Sequence, residues 1–248
     1  MIPLVERYSS PARKRRTGLA PNLVKALVVA LLLFLLVTRF LVSTFRIESV
    51  SMEPTLVPAD RVVVSLLAYG PRVPLGQGRL PGLGRPQRGD LVVVQPPFLD
   101  GFSLSSRLFE PLAGFFTLQK ATLHRQLSGS RMNSYMVKRV VGLPGDTVRL
   151  KDYVLSVKPK GGAYFIQETN LAPRPYRTLQ TPPGGEWPAS VALSGLDADL
   201  TLGDGQYFVL GDDRPLSSDS RSWGPLDVNR IIGKVILRYW PPRGIGTP

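Results

Sequence analysis

Two serines and one lysine hold the chemical possibilities of this sequence. Ser49 and Ser51 stand in the run Ser49-Val50-Ser51-Met52-Glu53-Pro54-Thr55-Leu56. Two residues apart on a strand, they would share one face. Pro54 stops a regular strand or helix from running through. A hydroxyl held at a strand end before a Pro-marked turn is a candidate nucleophile, although an ordinary turn serine has the same signature. A serine nucleophile needs a base. His124 is the single histidine, which argues against a Ser-His-Asp triad and against a histidine metal cluster. The absence of cysteine excludes a thiol nucleophile, a disulfide framework and a Cys-built zinc site. Carboxylates and lysine remain as bases.

Lys138 is the lysine of interest. It interrupts Met136-Val137-Lys138-Arg139-Val140-Val141, a run otherwise fit for a buried strand. On that strand Met136, Lys138 and Val140 share one face and Arg139 points the other way. The expectation is one solvated cation and one forced inward. An ordinary lysine has a pKa of about 10.4, so about one in 2,500 is neutral at pH 7. Complete burial lowers that pKa by up to ~3–5 units, enough to let the amine take the Ser51 proton. A lysine snorkelling from a strand is the plain alternative. A third cluster runs from Gly211 to Arg221 and includes Asp212, Asp213, Ser217 and Asp219. Ser217 can hydrogen-bond a neutral amine and fix its direction, and Asp219 can pair with Arg221. The plain alternative is a solvated loop with a surface ion pair worth little.

The elements that must position these groups are legible in outline. The chain has 248 residues, a formal charge of +13, and 24 each of Gly and Pro. That size can bury a core, and so much Gly and Pro favours short strands and many turns. No nucleic-acid motif is present, so the basic charge points to a membrane surface. Residues 1–22 are polar and contain Arg13, Lys14, Arg15 and Arg16; residues 23–42 are almost wholly apolar apart from Lys25 and Arg39. Twenty helical residues reach about 30 Å, the depth of a bilayer core. The basic flank predicts a cytoplasmic N-terminus and residues 43–248 outside. A cleaved signal peptide is the rival reading, and the lack of a small-x-small site favours a retained anchor. From Val42 to Ser51 the chain reaches at most about 30 Å, which tethers Ser51 near the outer face.

Beyond the anchor the sequence reads as mainly antiparallel β. Strands are expected at Arg61–Tyr69, Leu91–Val94, Tyr135–Val141, Ala163–Gln167, Gln206–Leu210 and Ile231–Trp240, with a hairpin over Thr147–Val157. The core blocks are residues 43–95, 134–150 and 206–240, with insertions at 96–133 and 151–205. The first insertion holds Phe98, Phe102, Phe109, Phe115 and Phe116. It is read either as a core insertion with a short helix near Leu118–Gln126 or as a segment dipping into the lipid interface.

Four ordered blocks after the anchor resemble the type I signal peptidases, membrane-anchored Ser/Lys endopeptidases. They are Ser49 to Leu56, Arg88 to Val93, Met136 to Asp146, and Gly211 to Gly224. The gap of 87 residues between Ser51 and Lys138 agrees as well. The resemblance implies a mainly β catalytic core with an added β region. It implies Ser51 as nucleophile, neutral Lys138 as general base, and an oxyanion hole made by the Ser51 N–H and the Ser49 hydroxyl. Ser217 would orient Lys138, while Asp219 and Arg221 would brace their loop. Attack by Ser51 would give an acyl-enzyme, with Lys138 then activating water. The implied substrates are signal peptides of secreted preproteins, bound extended with small side chains at −1 and −3. The implied setting is the cytoplasmic (inner) membrane, with a single-pass anchor in the lipid bilayer. No metal, organic cofactor or nucleic acid is implied, and a monomer is expected. Rival readings are a self-cleaving repressor, a conjugation-type processing peptidase and an inactive anchored β module that binds exported proteins. Two positions depart from the family pattern. Val50 stands where Gly is frequent, and Asp213 where Asn is common. A carboxylate beside Lys138 would favour the charged amine, so Asp213 is expected to point away.

Overall fold

The computed structural model describes residues 19–71, 78–98, 135–151, 154–180 and 199–248, the side chains of 19, 20 and 39 excepted. The basic cluster at 13–16, most of the Phe-rich insertion, the helix expected at Leu118–Gln126 and His124 lie outside the described residues. The first element is the helix α1 (Leu19–Leu36), continued by a π turn over Val37–Leu41. The expected helical span reached Val42, but regular α-helix ends six residues sooner. The Thr38 hydroxyl donates to the Phe34 carbonyl at 2.7 Å. Such back-bonding competes with the backbone ladder and loosens the helix end. Leu23, Val24, Leu27, Val28, Val29, Leu32, Leu33 and Leu36 all face outward from α1. Among the described residues no helix is long and apolar enough to cross a membrane.

Strand β1 (Val42–Arg46) follows directly. The large sheet adds β2 (Arg61–Ser65), β3 (Leu91–Val94), β4 (Met136–Gly142), β9 (Gln206–Leu210), β10 (Leu226–Asp227) and β11 (Ile231–Trp240), in the spatial order β1-β2-β11-β3-β4-β9-β10. Every neighbouring pair is antiparallel. The interior strand β3 is buried at all four positions. That explains its unbroken Leu-Val-Val-Val, the pattern of a strand covered on both faces. A second sheet is built from β5 (Thr147–Lys151), β6 (Val154–Lys158), β7 (Ile166–Gln167) and β8 (Leu200–Thr201), in the order β7-β6-β5-β8. It begins at Thr147, a few residues before the boundary read from the sequence, because the chain leaves the large sheet at the Leu143-Pro144-Gly145 turn. Two strands are shorter than expected: β2 stops at Ser65, and β7 has two residues before the helical turn α2 (Glu168–Leu171).

One core cluster joins the two sheets. Val141, Phe208 and Leu210 of the large sheet pack with Val148, Leu150, Leu155 and Val157 of the small one. Phe208 is the largest of these and is paired across the strands with Gly142. A Cβ at Gly142 would lie 2.8 Å from the Phe208 Cβ, so only glycine lets the ring sit there. A second cluster, with Ile47, Met52, Leu56, Val62, Val64 and Val93, lies beneath the segment that follows β1. Truncating Phe208 to alanine is expected to destabilise the protein by about 3–5 kcal/mol, read as a fall in the urea midpoint with an unchanged slope.

Candidate active site

Ser51 is fixed by a short, heavily bonded segment. The Ile47 N–H donates to the Asp60 carbonyl and the Ala59 N–H to the Ile47 carbonyl, each at 2.8 Å. Ser49 is extended, and Val50–Met52 form a single 3-10 turn rather than the strand end expected. The reason lies in the side chains that follow. Met52 and Leu56 are both buried in the core beneath, and the Leu56 N–H donates to the Met52 carbonyl at 2.9 Å, so the chain must curl inward. The two serines still meet, with their Oγ atoms 3.0 Å apart. Ser51 is 7% exposed.

Lys138 comes from the middle of the large sheet, on β4, opposite Val92 of β3. It is 1% exposed. Its Nζ lies 3.1 Å from Ser51 Oγ and 2.9 Å from Ser217 Oγ. Burial is the largest influence on this amine and pushes its pKa down from 10.5 to about 8. Asp219 opposes the shift, Arg221 supports it, and Asp212 and Asp213 oppose it more weakly. About one amine in ten is then neutral at pH 7, by the same relation that leaves one in thousands for a solvated lysine. A neutral amine has a lone pair that accepts the Ser51 proton across the 3.1 Å contact.

The carboxylates nearby are committed elsewhere. Asp219 receives Arg221 Nε at 2.8 Å and Arg221 Nη2 at 2.9 Å. It also accepts from the Gly211 and Arg221 N–H groups, the latter as N-cap of the helical turn α3 (Ser220–Trp223). Burial alone would raise the Asp219 carboxyl; Arg221, followed by Lys138 and the Gly211 N–H, holds it below the usual carboxylate range. Asp212 is matched bidentately by Arg139, with Nε to Oδ1 at 2.8 Å and Nη2 to Oδ2 at 2.6 Å. It takes a third bond from the Thr55 hydroxyl at 2.5 Å. Asp213 turns onto its own loop, where Oδ1 accepts the Leu216 N–H at 3.1 Å. Burial raises its carboxyl, and Leu216, Arg221 and Lys138 counter that.

Arg139 corrects the expectation of one solvated cation, because both cations of β4 are buried. The strand is covered on both faces, so each needed its own solution. Lys138 is dehydrated between hydroxyls, and Arg139 keeps its charge against Asp212 and stacks on the Tyr176 ring at 4.0 Å. Two further buried residues had no sequence signal as a pair. Arg214 Nη2 donates to Glu168 Oε1 at 2.6 Å, and the Tyr176 hydroxyl donates to Glu168 Oε2. Asp212 stood in the sequence only as a member of the Gly211–Arg221 cluster, and its partner 73 residues away could not be read.

Gly211 is what allows the loop to close over Ser51. A Cβ there would lie 2.2 Å from Ser217 Oγ and 2.5 Å from the Ser51 carbonyl oxygen. The Asp213 N–H donates to that same carbonyl at 3.1 Å. Beside the two serines opens a cleft of about 240 Å³, lined by Phe45, Ile47, Met52, Met136, Val137, Leu216 and Lys138. The arrangement can deliver an alkoxide to a carbonyl held in that cleft. Among the described residues no group of His, Cys, Asp or Glu is placed to hold a metal ion. Removing the Arg139 guanidinium by substitution with alanine leaves Asp212 buried and unpaired, which is expected to lower stability by about 3–5 kcal/mol. Replacing both members with Met and Leu should restore most of it, as chemical denaturation of the single and double variants will show.

Comparison with known proteins gives the family. A profile of the family described as signal peptidase, peptidase S26, matches residues 21–240. The chain is 27% identical over 216 residues to signal peptidase IB of Staphylococcus aureus, covering 87% of each protein. It is 26% identical over 222 residues to a probable signal peptidase I-2 of Synechocystis sp., covering 90% of this chain and 74% of that one. A solved signal peptidase I of Enterococcus faecalis covers 61% of this chain and 97% of its own at 24% identity, with a TM-score of 0.31, too loose a likeness to bear on the fold. A match along nearly the whole chain, laid over a buried lysine in contact with a serine hydroxyl, places this protein in the signal peptidase family, peptidase S26.

Proposed function

We propose that this enzyme removes N-terminal signal peptides from exported preproteins, with Ser51 as nucleophile and neutral Lys138 as general base. The observation that carries the reading is the 3.1 Å contact between a serine hydroxyl and a lysine amine shut away from water. An extended precursor lies along the cleft between residues 45–49 and 135–138, adding to the sheet as peptides do at strand edges. Ser51 Oγ attacks the scissile carbonyl carbon as its proton passes to Lys138. The oxyanion is held by the Ser51 N–H and the Ser49 hydroxyl, and one such donor is typically worth about 3–4 kcal/mol of barrier. Collapse expels the amine of the mature chain, which takes its proton from Lys138. The signal peptide is then esterified to Ser51. The neutral lysine next deprotonates a water that attacks the ester carbonyl, freeing the signal peptide carboxylate and the serine. Ser217 keeps the amine aimed, and Asp219 with Arg221 holds the loop that presents Ser217.

The same reading makes α1 and the π turn after it the membrane anchor. Its outward apolar side chains lie on every side of the helix, and a helix apolar all round needs an apolar surrounding. Eighteen residues rise about 27 Å, and the π turn extends the apolar run toward the ~30 Å of a bilayer core. The basic residues before it set the N-terminus in the cytoplasm and the catalytic region on the extracytoplasmic face of the inner membrane. Removal of residues 1–41 is expected to shift the protein from the alkali-resistant membrane fraction to the supernatant; retention in the membrane would remove the anchor assignment.

Cleavage of a labelled precursor by the purified full chain tests the chemistry. Ser51→Ala should leave the precursor intact. Lys138→Arg should do the same, because a guanidinium does not shed its proton at these pH values. Only the deprotonated amine is competent, so kcat/KM should rise with pH and level off above about 8. A pH-independent rate, or turnover by Lys138→Arg, would exclude Lys138 as the base.

A further inference from the structure

Resting on that reading, we propose that Glu168 is a positioning residue for the peptidase reaction, through which the second sheet holds the loop that presents Ser217. Glu168 opens α2, immediately after β7, and is 1% exposed. Both of its oxygens are occupied, one by Arg214 Nη2 at 2.6 Å and the other by the Tyr176 hydroxyl. Arg214 is buried as deeply. With its Nη2 fixed by Glu168, its Nε reaches the Gly211 carbonyl at 2.9 Å. Its own carbonyl accepts Arg221 Nη2 at 2.7 Å, so the Glu168 pair and the Asp219 pair share one segment of backbone.

Gly211 is the point at which this matters for chemistry. It is so close to Ser217 Oγ and the Ser51 carbonyl that a methyl group does not fit between them. A displacement of Gly211 therefore moves Ser217, and Ser217 Oγ is bonded to Lys138 Nζ. A second strap runs in parallel. The Leu179 N–H donates to the Asp212 carbonyl, and the Arg214 N–H donates to the Leu179 carbonyl, both at 2.9 Å. Residues of the second region thus grip the loop on both sides of Asp213. Tyr176 ties the two straps together, since it bonds Glu168 and lies under the Arg139 guanidinium that holds Asp212. Arg214 spends its donors on Glu168 and on the Gly211 carbonyl, so it acts on the loop and not on the amine directly. The effect of Glu168 is therefore geometric, and its loss acts by letting the loop drift and water reach the amine.

The test uses the full-length enzyme in detergent, comparing wild type with Glu168→Gln for kcat, KM, the pH dependence of kcat/KM, and thermal unfolding. Glu168→Gln is expected to lower kcat about tenfold or more with KM within about twofold, the split of a group acting on chemistry rather than binding. The acid limb of the profile should move to higher pH, since a hydrated amine holds its proton more tightly. A Gln variant with wild-type kcat and an unmoved limb, whatever its melting temperature, overturns the proposal and leaves the peptidase reading intact. Should that variant not fold, Glu168→Met with Arg214→Met replaces the buried pair by apolar side chains of similar length. The double variant should fold and show the same kcat loss and limb shift; wild-type turnover by it overturns the proposal. Wild-type protein that leaves the precursor uncut overturns both readings.

Discussion

An amine held inside the protein without an anion of its own is the constraint around which this structure is arranged. Lys138 sits on an interior strand, and its nitrogen touches two hydroxyls rather than a carboxylate. Four acids lie in the same region, and any one of them turned toward the amine would keep it protonated. Asp219 is taken by Arg221, Asp212 by Arg139, Glu168 by Arg214, and Asp213 by a backbone N–H of its own loop. The arginines therefore do more than neutralise buried acids. They decide which cation the acids serve, and so leave dehydration as the dominant influence on the lysine. The resulting drop from 10.5 to about 8 corresponds to about 3 kcal/mol against the ammonium.

That distribution of charge also explains why the loop from Gly211 to Arg221 has so little freedom. Buried ion pairs seldom add net stability, because desolvation offsets their attraction. Three of them within one site are better understood as geometric devices. Each arginine reaches past its carboxylate to a backbone or side-chain oxygen: Arg139 to the Gly89 carbonyl, Arg214 to that of Gly211, Arg221 to that of Arg214. Guanidinium groups suit this use, since their donors fan out in a fixed plane. The loop is stitched to β4, to the turn before β3 and to the second sheet, and Ser217 inherits its position from all three.

The strands were legible where burial on both faces or simple alternation wrote a pattern into the sequence. β3, β9 and β11 stand where Leu91–Val94, Gln206–Leu210 and Ile231–Trp240 predicted them. The residues singled out for chemistry form one chain of contacts, Ser49 to Ser51, Ser51 to Lys138 and Lys138 to Ser217. What could not be read was pairing between distant polar residues. Arg139 beside Lys138 looked like a surface cation because nothing local announces Asp212, and nothing in the sequence singled out Glu168. The 3-10 turn at Val50–Met52 was also hidden, since it follows from Met52 and Leu56 reaching a core formed by strands far away in sequence. Local pattern specifies which backbone is buried; it does not specify which buried charges meet.

The place of β1 follows from the same economy of elements. It is the last strand of the large sheet, bonded to β2 on one side, and exposed sheet ends are normally blunted because they invite pairing with another chain. Here the strand emerges directly from the apolar helix and leads within five residues to Ser51. Its Phe45 and Arg46 line the same cleft as Lys138. On the proposed reading, a precursor whose own hydrophobic segment lies in the bilayer arrives already close to this end of the sheet. Pairing with backbone asks little of its side chains beyond the few that enter the cleft. On that same reading the enzyme can accept many sequences while still locating one bond, with the register set by the distance from the lipid to the serine rather than by a long recognition motif.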